Sequence, residues 1–308
     1  MRISVQTGGL IETYGAEKTA KFISEAGFTG LDWGINRGWD RATIKELGYL
    51  PQGCIYDKSD EEIDAYWKEQ SDAWKKYGLQ VVQAHAPYPA YVFGNPDFLD
   101  YAIAVNKKCI RYCERADIPY LVLHGISLPC GEKRLTQEDV EALNMKLYTS
   151  LIPVLRETGV VVCLENLFSG RGSELRQGHC ADPNEAVRHI DLLNEKAGKE
   201  CFGLCLDTGH LHILHGDVRT YVRTLGKRIK VLHLHDNDGS ADQHLGPYAG
   251  TFPWADLIEV LREIGYEGDL NFETFAQVRA NRTPEAMIPE TLRFIRAAGE
   301  YFRSEIQK

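Results

Sequence analysis

The sequence predicts a (β/α)8 barrel, the TIM-barrel class of α/β fold, formed as a single domain by residues 1–308. Short apolar runs that resemble strands alternate with helical segments eight times along the chain. Such alternation implies parallel strands, and eight units in about 300 residues have the size of a barrel. No linker or change of composition divides the chain. The alternative, an open doubly wound sheet, would more often carry a glycine-rich phosphate turn after its first strand, and Thr7-Gly8-Gly9 matches that turn poorly.

The eight predicted strands are short and mostly apolar, and their side chains alternate between two faces. The fifth strand, VVVCLE, is wholly apolar before its closing acid. The strands are predicted at residues 3–6, 31–34, 81–85, 120–124, 160–165, 202–207, 231–235 and 269–275.

The eight predicted helices are placed by apolar periodicity and by start signals. Ser59 with Glu62, and Thr136 with Asp139, have the spacing of a capping box. Asp182 is a candidate N-cap in front of a proline. The helices are predicted at residues 15–26, 58–77, 96–116, 136–158, 182–197, 218–225, 254–264 and 284–303.

Charge and cysteine usage favour a soluble enzyme of a reducing compartment. The formal net charge of −9 disfavours a protein that binds a phosphate backbone. The apolar runs are too short to span a membrane, and the start, MRISVQTGG, lacks the features of a signal peptide. The eight cysteines form no C-x-x-C pattern, which fits reduced thiols. We therefore expect a cytoplasmic protein with no membrane attachment and no nucleic-acid partner.

Potential metal ligands follow the predicted strands at one end of the barrel. Active sites of such barrels lie at the carboxyl ends of the strands. The third to the eighth strand each end on, or are followed by, a histidine or an acid, and this repetition is hard to attribute to chance. In chain order the residues are His85, His124, Glu165, Asp207, His210, His233, His235, Asp236, Asp242, His244 and Glu273.

The mixture of carboxylates and imidazoles favours a divalent metal such as Mn²⁺, Zn²⁺, Co²⁺ or Fe²⁺. Such an ion can polarise a carbonyl and stabilise an enediolate, while a glutamate moves a proton on the neighbouring carbon. Structural alternatives stay open for single residues. Glu165 could form a buried ion pair, Asp207 could cap a helix, and Glu273 could be a surface acid. Trp33 is interpreted either as a wall of a sugar pocket or as packing.

Five short motifs resemble those of the xylose isomerase-like TIM-barrel superfamily. They are LEN at 164–166, LDTGH at 206–210, HLHD at 233–236, DQH at 242–244 and FET at 272–274. The resemblance runs from His85 to Glu273, and the count of strand–helix units extends it over the whole chain. The superfamily holds sugar isomerases and 3-epimerases, inosose dehydratases, and the endonuclease IV type of abasic-site nuclease.

The resemblance implies one divalent metal, with Mn²⁺ as the first choice and Co²⁺, Zn²⁺, Fe²⁺ or Mg²⁺ as alternatives. Its implied ligands are Glu165, Asp207, His233 and Glu273. His233 is preferred to His235 because family members often carry His-x-x-Asp with the first histidine on the metal; His235 stays an alternative. The two glutamates would exchange a proton on opposite faces of a carbon, and His210 would bind substrate oxygens. Further substrate contacts are expected from His85, His124, His235, His244 and Trp33. His244 stands where those epimerases commonly place an arginine.

The implied function is metal-dependent isomerisation or epimerisation of a sugar or a polyol-derived ketone. A dehydratase or lyase acting on a keto-sugar, keto-glycoside or keto-polyol shares the same first step and is the first alternative. A three-metal abasic-site endonuclease is less favoured because of the charge of −9 and the lack of Arg/Lys clusters with interleaved aromatic residues in the loops. A binding module without activity is the non-enzymatic alternative. The oligomeric state stays open between a monomer and a homo-oligomer, since relatives often form dimers or tetramers.

Overall fold

The predicted barrel is confirmed in the computed structural model, which describes residues 1–36, 38–128 and 135–308. The strands are β1 (Ile3–Gln6), β2 (Gly30–Gly34), β3 (Gln80–His85), β4 (Tyr120–Leu123), β5 (Val161–Glu165), β6 (Phe168–Ser169), β7 (Arg176–Gln177), β8 (Phe202–Asp207), β9 (Ile229–His233) and β10 (Leu270–Phe272). Eight of them form one parallel sheet in the order β10-β1-β2-β3-β4-β5-β8-β9, while β6 and β7 form a separate antiparallel hairpin. The barrel closes where the Leu234 amide donates to the Asn271 carbonyl at 2.8 Å and the Leu234 carbonyl accepts from the Glu273 amide at 3.0 Å.

Helices cover the outside of the barrel between successive strands. In the described part of the chain they are α1 (Leu10–Glu25), α2 (Arg41–Leu47), α3 (Asp60–Lys76), α4 (Asp97–Arg115), α5 (Gln137–Thr149), α6 (Ile152–Glu157), α7 (Pro183–Ala197), α8 (Thr208–Ile213), α9 (Val218–Leu225), α10 (Trp254–Glu263), α11 (Phe275–Val278) and α12 (Ile288–Ile306). Both predicted capping boxes are present, at the starts of α3 and α5. None of these helices is long and apolar enough to cross a membrane.

The helix predicted at 136–158 is divided into α5 and α6. Pro153 occupies the first turn of α6, where its missing amide hydrogen costs no hydrogen bond, and it could not continue α5 without breaking one. The long second loop contains α2, and α8 starts directly after β8 because Asp207 caps it. These additions lie at the carboxyl end of the barrel and shape its opening.

Three strands end earlier than predicted, which moves polar residues from the strands into the adjoining loops. Strand β9 ends at His233 because the His235 amide donates to the Thr208 hydroxyl at 3.0 Å instead of to a neighbouring strand. Strands β4 and β10 end just before His124 and Glu273. All of these residues still lie at the carboxyl end of the barrel.

Trp33 faces the helices and does not reach the opening of the barrel. Its indole is fully buried and packs edge-on against Trp67 and Trp74, with ring centroids 5.3 Å and 6.1 Å away. The indole nitrogen donates to Gln70 at 2.7 Å. Of the two sequence interpretations of Trp33, the structure supports packing, because the alternation along β2 turns Trp33 outward and Asp32 inward.

We expect Trp33→Ala to lower the free energy of unfolding by about 3–5 kcal/mol, because it leaves a cavity in the tryptophan cluster. Urea denaturation followed by circular dichroism measures this loss. Phe294→Ala is the matched control, since Phe294 is 52% exposed on α12 and its loss should change stability by less than about 0.5 kcal/mol. Equal losses for the two variants would contradict the assigned role of Trp33.

Candidate active site

A cavity of about 540 Å³ opens at the carboxyl ends of the strands. Its walls come from several strand–helix loops, as expected for a barrel whose loops converge on one face. Seven of the residues singled out from the sequence line it, namely His85, His124, Glu165, His210, Asp242, His244 and Glu273. Asp207, His233 and His235 are fully buried next to it, so the structure brings together every predicted site residue except Trp33.

Three carboxylates converge on one imidazole nitrogen beside this cavity. His233 Nδ1 lies 3.6 Å from Glu165 Oε1, 3.9 Å from Asp207 Oδ2 and 3.3 Å from Glu273 Oε2. His233 Nδ1 is buried and has no hydrogen-bond partner among the described residues. Buried polar atoms without partners are costly, and a divalent cation would satisfy this donor set. The four residues therefore fit a mononuclear metal site.

The charges of the cluster also call for a cation. Burial alone would raise the pKa of the Glu165 carboxyl, but the adjacent His124 and His233 rings hold this pKa well below its usual range. Burial alone would lower the pKa of His210, but Asp207 and neighbouring acids raise it well above its usual range. The Glu165 carboxylate thus stays ionised and draws positive charge toward itself, as it would draw a metal ion.

The LEN and LDTGH motifs hold Glu165 and Asp207 side by side. The Asn166 side chain accepts from the Asp207 amide at 2.7 Å and donates to the Asp207 carbonyl at 2.9 Å, which joins the ends of β5 and β8. Asp207 Oδ1 accepts from the His210 amide at 2.7 Å, so this residue caps α8 while its Oδ2 faces His233. The N-cap and ligand interpretations of Asp207 are therefore compatible.

Asp32 is a buried residue that the sequence analysis missed. Its Oδ2 lies 3.2 Å from His233 Nε2 and accepts from Gln83 at 3.1 Å and Asn271 at 3.0 Å. A carboxylate on the far nitrogen of a metal-binding histidine fixes the tautomer and orients the ring. The available signal was the alternation in LDWG, because Leu31 and Trp33 face outward and Asp32 must then face inward.

His85 and His124 contact the other oxygen of Glu165. His124 Nε2 lies 2.9 Å from Glu165 Oε2 and 3.1 Å from His85 Nε2. His85 Nδ1 lies 2.9 Å from the Ala86 carbonyl and donates to it, and Glu165 outweighs the effect of burial and raises the pKa of His85. Burial lowers the pKa of His124 to about 4, so its ring is neutral at pH 7.

His235 and His244 form a second layer around Asp207. Their rings stack with centroids 4.1 Å apart, and His235 Nε2 lies 2.9 Å from Asp207 Oδ1. This close packing requires glycine at position 209, because a Cβ there would lie 1.9 Å from His235 Cε1. His244 lines the cavity and contacts Asp242 at 3.0 Å, whereas His235 is buried behind it. Of the two candidate ligand histidines, only His233 therefore lies among all three carboxylates.

The chain matches the model of the family described as xylose isomerase-like TIM barrel over residues 20–298. An inosose isomerase of Halalkalibacterium halodurans is 22% identical over 80% of this chain and 81% of its own. A probable endonuclease 4 of Mycoplasma genitalium is 31% identical, but over only 58% of this chain and 60% of its own. The D-psicose 3-epimerase of Clostridium cellulolyticum has the same fold, with a TM-score of 0.68, 17% identity, and coverage of 98% of this chain and 99% of the other.

We expect Asp32→Asn to weaken divalent-metal binding about 10- to 100-fold, because an amide no longer fixes the His233 ring as a carboxylate does. Isothermal titration of the chelator-treated protein with Mn²⁺ measures the affinity. Asp64→Asn is the control, because Asp64 is an exposed acid paired with Arg115 on the helical surface. Unchanged affinity in Asp32→Asn would refute the orienting role of Asp32.

Proposed function

Because the chain belongs to the family of xylose isomerase-like TIM barrels, we propose that it is a divalent-metal-dependent isomerase or epimerase of a sugar or polyol-derived ketone. The observation that carries the proposal is the convergence of Glu165, Asp207 and Glu273 on His233 Nδ1 beside a cavity. Three carboxylates and one imidazole form an oxygen-rich donor set that suits Mn²⁺. A bound metal of this kind would polarise the substrate carbonyl and stabilise the charge of an enediolate.

Glu165 and Glu273 are the residues that we propose to move the proton. They are carried by β5 and by the residue after β10, which are separated in the barrel by β8 and β9. They therefore approach the cavity from different sides. Gln6 donates to Glu273 Oε1 at 2.7 Å, which leaves Oε2 facing the cluster. One glutamate would remove the proton next to the carbonyl, and the other would return a proton to the opposite face in an epimerase.

The cavity offers hydrogen-bonding rings between aromatic walls, as a sugar requires. His210 packs against Phe168, with ring centroids 5.0 Å apart, and His244 packs against Phe275 at 4.2 Å. Both histidines have neighbouring acids that fix their orientation. Glu273 and Asp242 outweigh the effect of burial and raise the pKa of His244 to about 9, so its ring donates hydrogen bonds at neutral pH. We propose that His210 and His244 bind substrate hydroxyl or carbonyl oxygens.

A dehydratase or lyase remains the first alternative because it uses the same proton abstraction. After the proton is removed, a dehydratase or lyase expels a leaving group from the carbon next to the deprotonated one. An isomerase or epimerase instead returns a proton to the substrate. Product analysis of each turned-over ketose or keto-glycoside by mass spectrometry separates these reactions, since loss of water or of a glycoside changes the mass and epimerisation does not.

An abasic-site endonuclease is the second candidate, and a specific observation favours it. Its nine-ligand pattern can be followed through His85, His124, Glu165, Asp207, His210, His233, Asp242, His244 and Glu273, all of which lie in or beside the one cavity. The charge of the cavity is unfavourable for DNA. Among its described lining residues Arg41 is the one Lys or Arg, and its guanidinium already donates to the Tyr88 hydroxyl at 2.7 Å.

We also propose that the protein works in the reducing cytoplasm. Seven of its cysteines lie in the described part of the chain, where all are buried and none forms a disulfide. Cys130 lies outside the described residues. The oligomeric state stays open, and light scattering of the purified protein would distinguish a monomer from a homo-oligomer.

We expect Glu165→Gln and Glu273→Gln each to lower kcat about 100- to 10,000-fold, because an amide cannot accept the proton. Turnover is followed by deuterium uptake from D₂O into the substrate carbon. Glu200→Gln is the matched control, since Glu200 is an exposed acid paired with Lys230. Retention of substantial exchange in both active-site variants would refute the proposed roles.

We expect the double variant Glu165→Gln/Glu273→Gln to bind about one metal ion per chain fewer than the unsubstituted protein, measured by mass spectrometry of the metal content. The double variant His85→Asn/His124→Asn should keep this ion, because these histidines contact Glu165 but lie outside the four-residue set. A loss of metal in the histidine variant, together with about three ions per chain in the unsubstituted protein, would favour the endonuclease and call for an abasic-site cleavage assay.

A further inference from the structure

A second group of potential metal ligands lies outside the cavity. His179 and Cys180 precede α7, and His189 lies on it. One donor atom of each residue lies within 4.8 Å of the donor atoms of the other two. All three residues are buried, with His179 only 4% exposed and His189 only 3% exposed. A thiol and two imidazoles are the donor types that zinc takes up in proteins.

Glu185 supplies a fourth donor to this group. It lies one helical turn before His189, so the two side chains share a face of α7. Glu185 Oε1 lies 3.3 Å from His179 Nδ1 and 3.8 Å from His189 Nδ1. Donor atoms around a tetrahedral zinc ion are roughly 3.3–3.8 Å apart. The two imidazoles and the carboxylate therefore already have the spacing of a zinc site.

Only one of the four ring nitrogens of these two histidines has a hydrogen-bond partner among the described residues, since Asn144 Nδ2 lies 3.4 Å from His179 Nδ1. His179 Nε2 and both ring nitrogens of His189 have no hydrogen-bond partner among the described residues. Glu141 lies 3.5 Å from His189 Nε2, on the side of the ring opposite Nδ1. A carboxylate in this place commonly supports a histidine that binds metal through its other nitrogen. The unpartnered His179 Nε2 and His189 Nδ1 are thus the main sign of a ligand, and Glu141 is placed to orient His189 toward it.

The group lies directly behind the wall of the candidate active site. The His179 carbonyl accepts from the Leu167 amide at 2.9 Å, and the His179 amide donates to the Ser127 hydroxyl at 2.9 Å. Leu167 and Ser127 both line the cavity. The His179 ring packs against Gly125, where a Cβ would lie 2.1 Å from its Cδ2. Any ligand that fixes His179 therefore also fixes this part of the cavity wall.

We propose that His179, Cys180, Glu185 and His189 form a structural zinc site that ties the segment before α7 to the helix and supports the cavity wall. A thiolate and a carboxylate bring two negative charges, which balance Zn²⁺ in a buried place while the imidazoles stay neutral. The Cys180 thiolate also distinguishes this site chemically from the candidate catalytic site, whose four-residue set has no sulfur donor. The proposal does not depend on the proposed catalytic function.

X-ray absorption at the zinc edge of the intact protein, equilibrated with zinc and freed of excess, tests the site. We expect a sulfur shell at about 2.3 Å. Zinc in the candidate catalytic site would add only nitrogen and oxygen neighbours. Cys180→Ser should abolish the sulfur shell. Cys205→Ser is the control, because Cys205 is also buried and lies near His233; it should keep the shell.

Three results would overturn the proposal. One is the absence of sulfur around zinc in the unsubstituted protein, which decides the matter even if Cys180→Ser does not fold. Another is a sulfur shell that persists in Cys180→Ser, and the third is one that disappears in Cys205→Ser. His189→Gln supplies a second variant, and it should lower the zinc content by about one ion per chain.

Discussion

Negative charge buried at one end of the barrel is the constraint on which the rest of the site depends. Glu165, Asp207 and Glu273 lie 3.3–3.9 Å from a single ring nitrogen, and like charges so close together in a site shielded from water repel one another strongly. The surrounding groups offset this repulsion: the Gln6 amide donates to Glu273, and the His210 backbone amide donates to Asp207. A divalent cation is the group that would balance the remainder.

The sequence was sufficient for the barrel because each strand is short, apolar and followed by a helical pattern. It also pointed to most of the residues gathered around the cavity, since ligand-type residues end strand after strand. Prediction from the sequence failed where the placement of a residue depends on neighbours that are distant in the chain but close in the folded barrel. The sequence left Trp33 open between a pocket wall and packing, and the inward-facing Asp32 beside it was missed. Strand β9 ends where the His235 amide donates to the Thr208 hydroxyl. These two groups, 27 residues apart in the chain, meet only in the folded barrel.

Several motif residues serve the framework as much as the chemistry. Asn166 joins two strand ends through the backbone of Asp207. Asp236, the acid of the HLHD motif, accepts from the Phe252 amide and from the Trp254 indole, both at 2.9 Å, and so anchors the loop between β9 and α10. A motif that identifies a family therefore mixes ligands with the residues that hold them. Only the geometry separates the two groups.

The opposite pKa shifts of Glu165 and His210 bear on how a metal ion would bind to the folded chain. In the metal-free chain, the raised pKa of His210 and the lowered pKa of Glu165 place a protonated imidazole beside an ionised carboxylate, which offsets part of the buried negative charge. A cation that enters later must displace protons from such rings, as metal binding to histidine generally does. Binding of a cation at the proposed site would therefore release protons, so acid would oppose it and alkaline conditions would favour it.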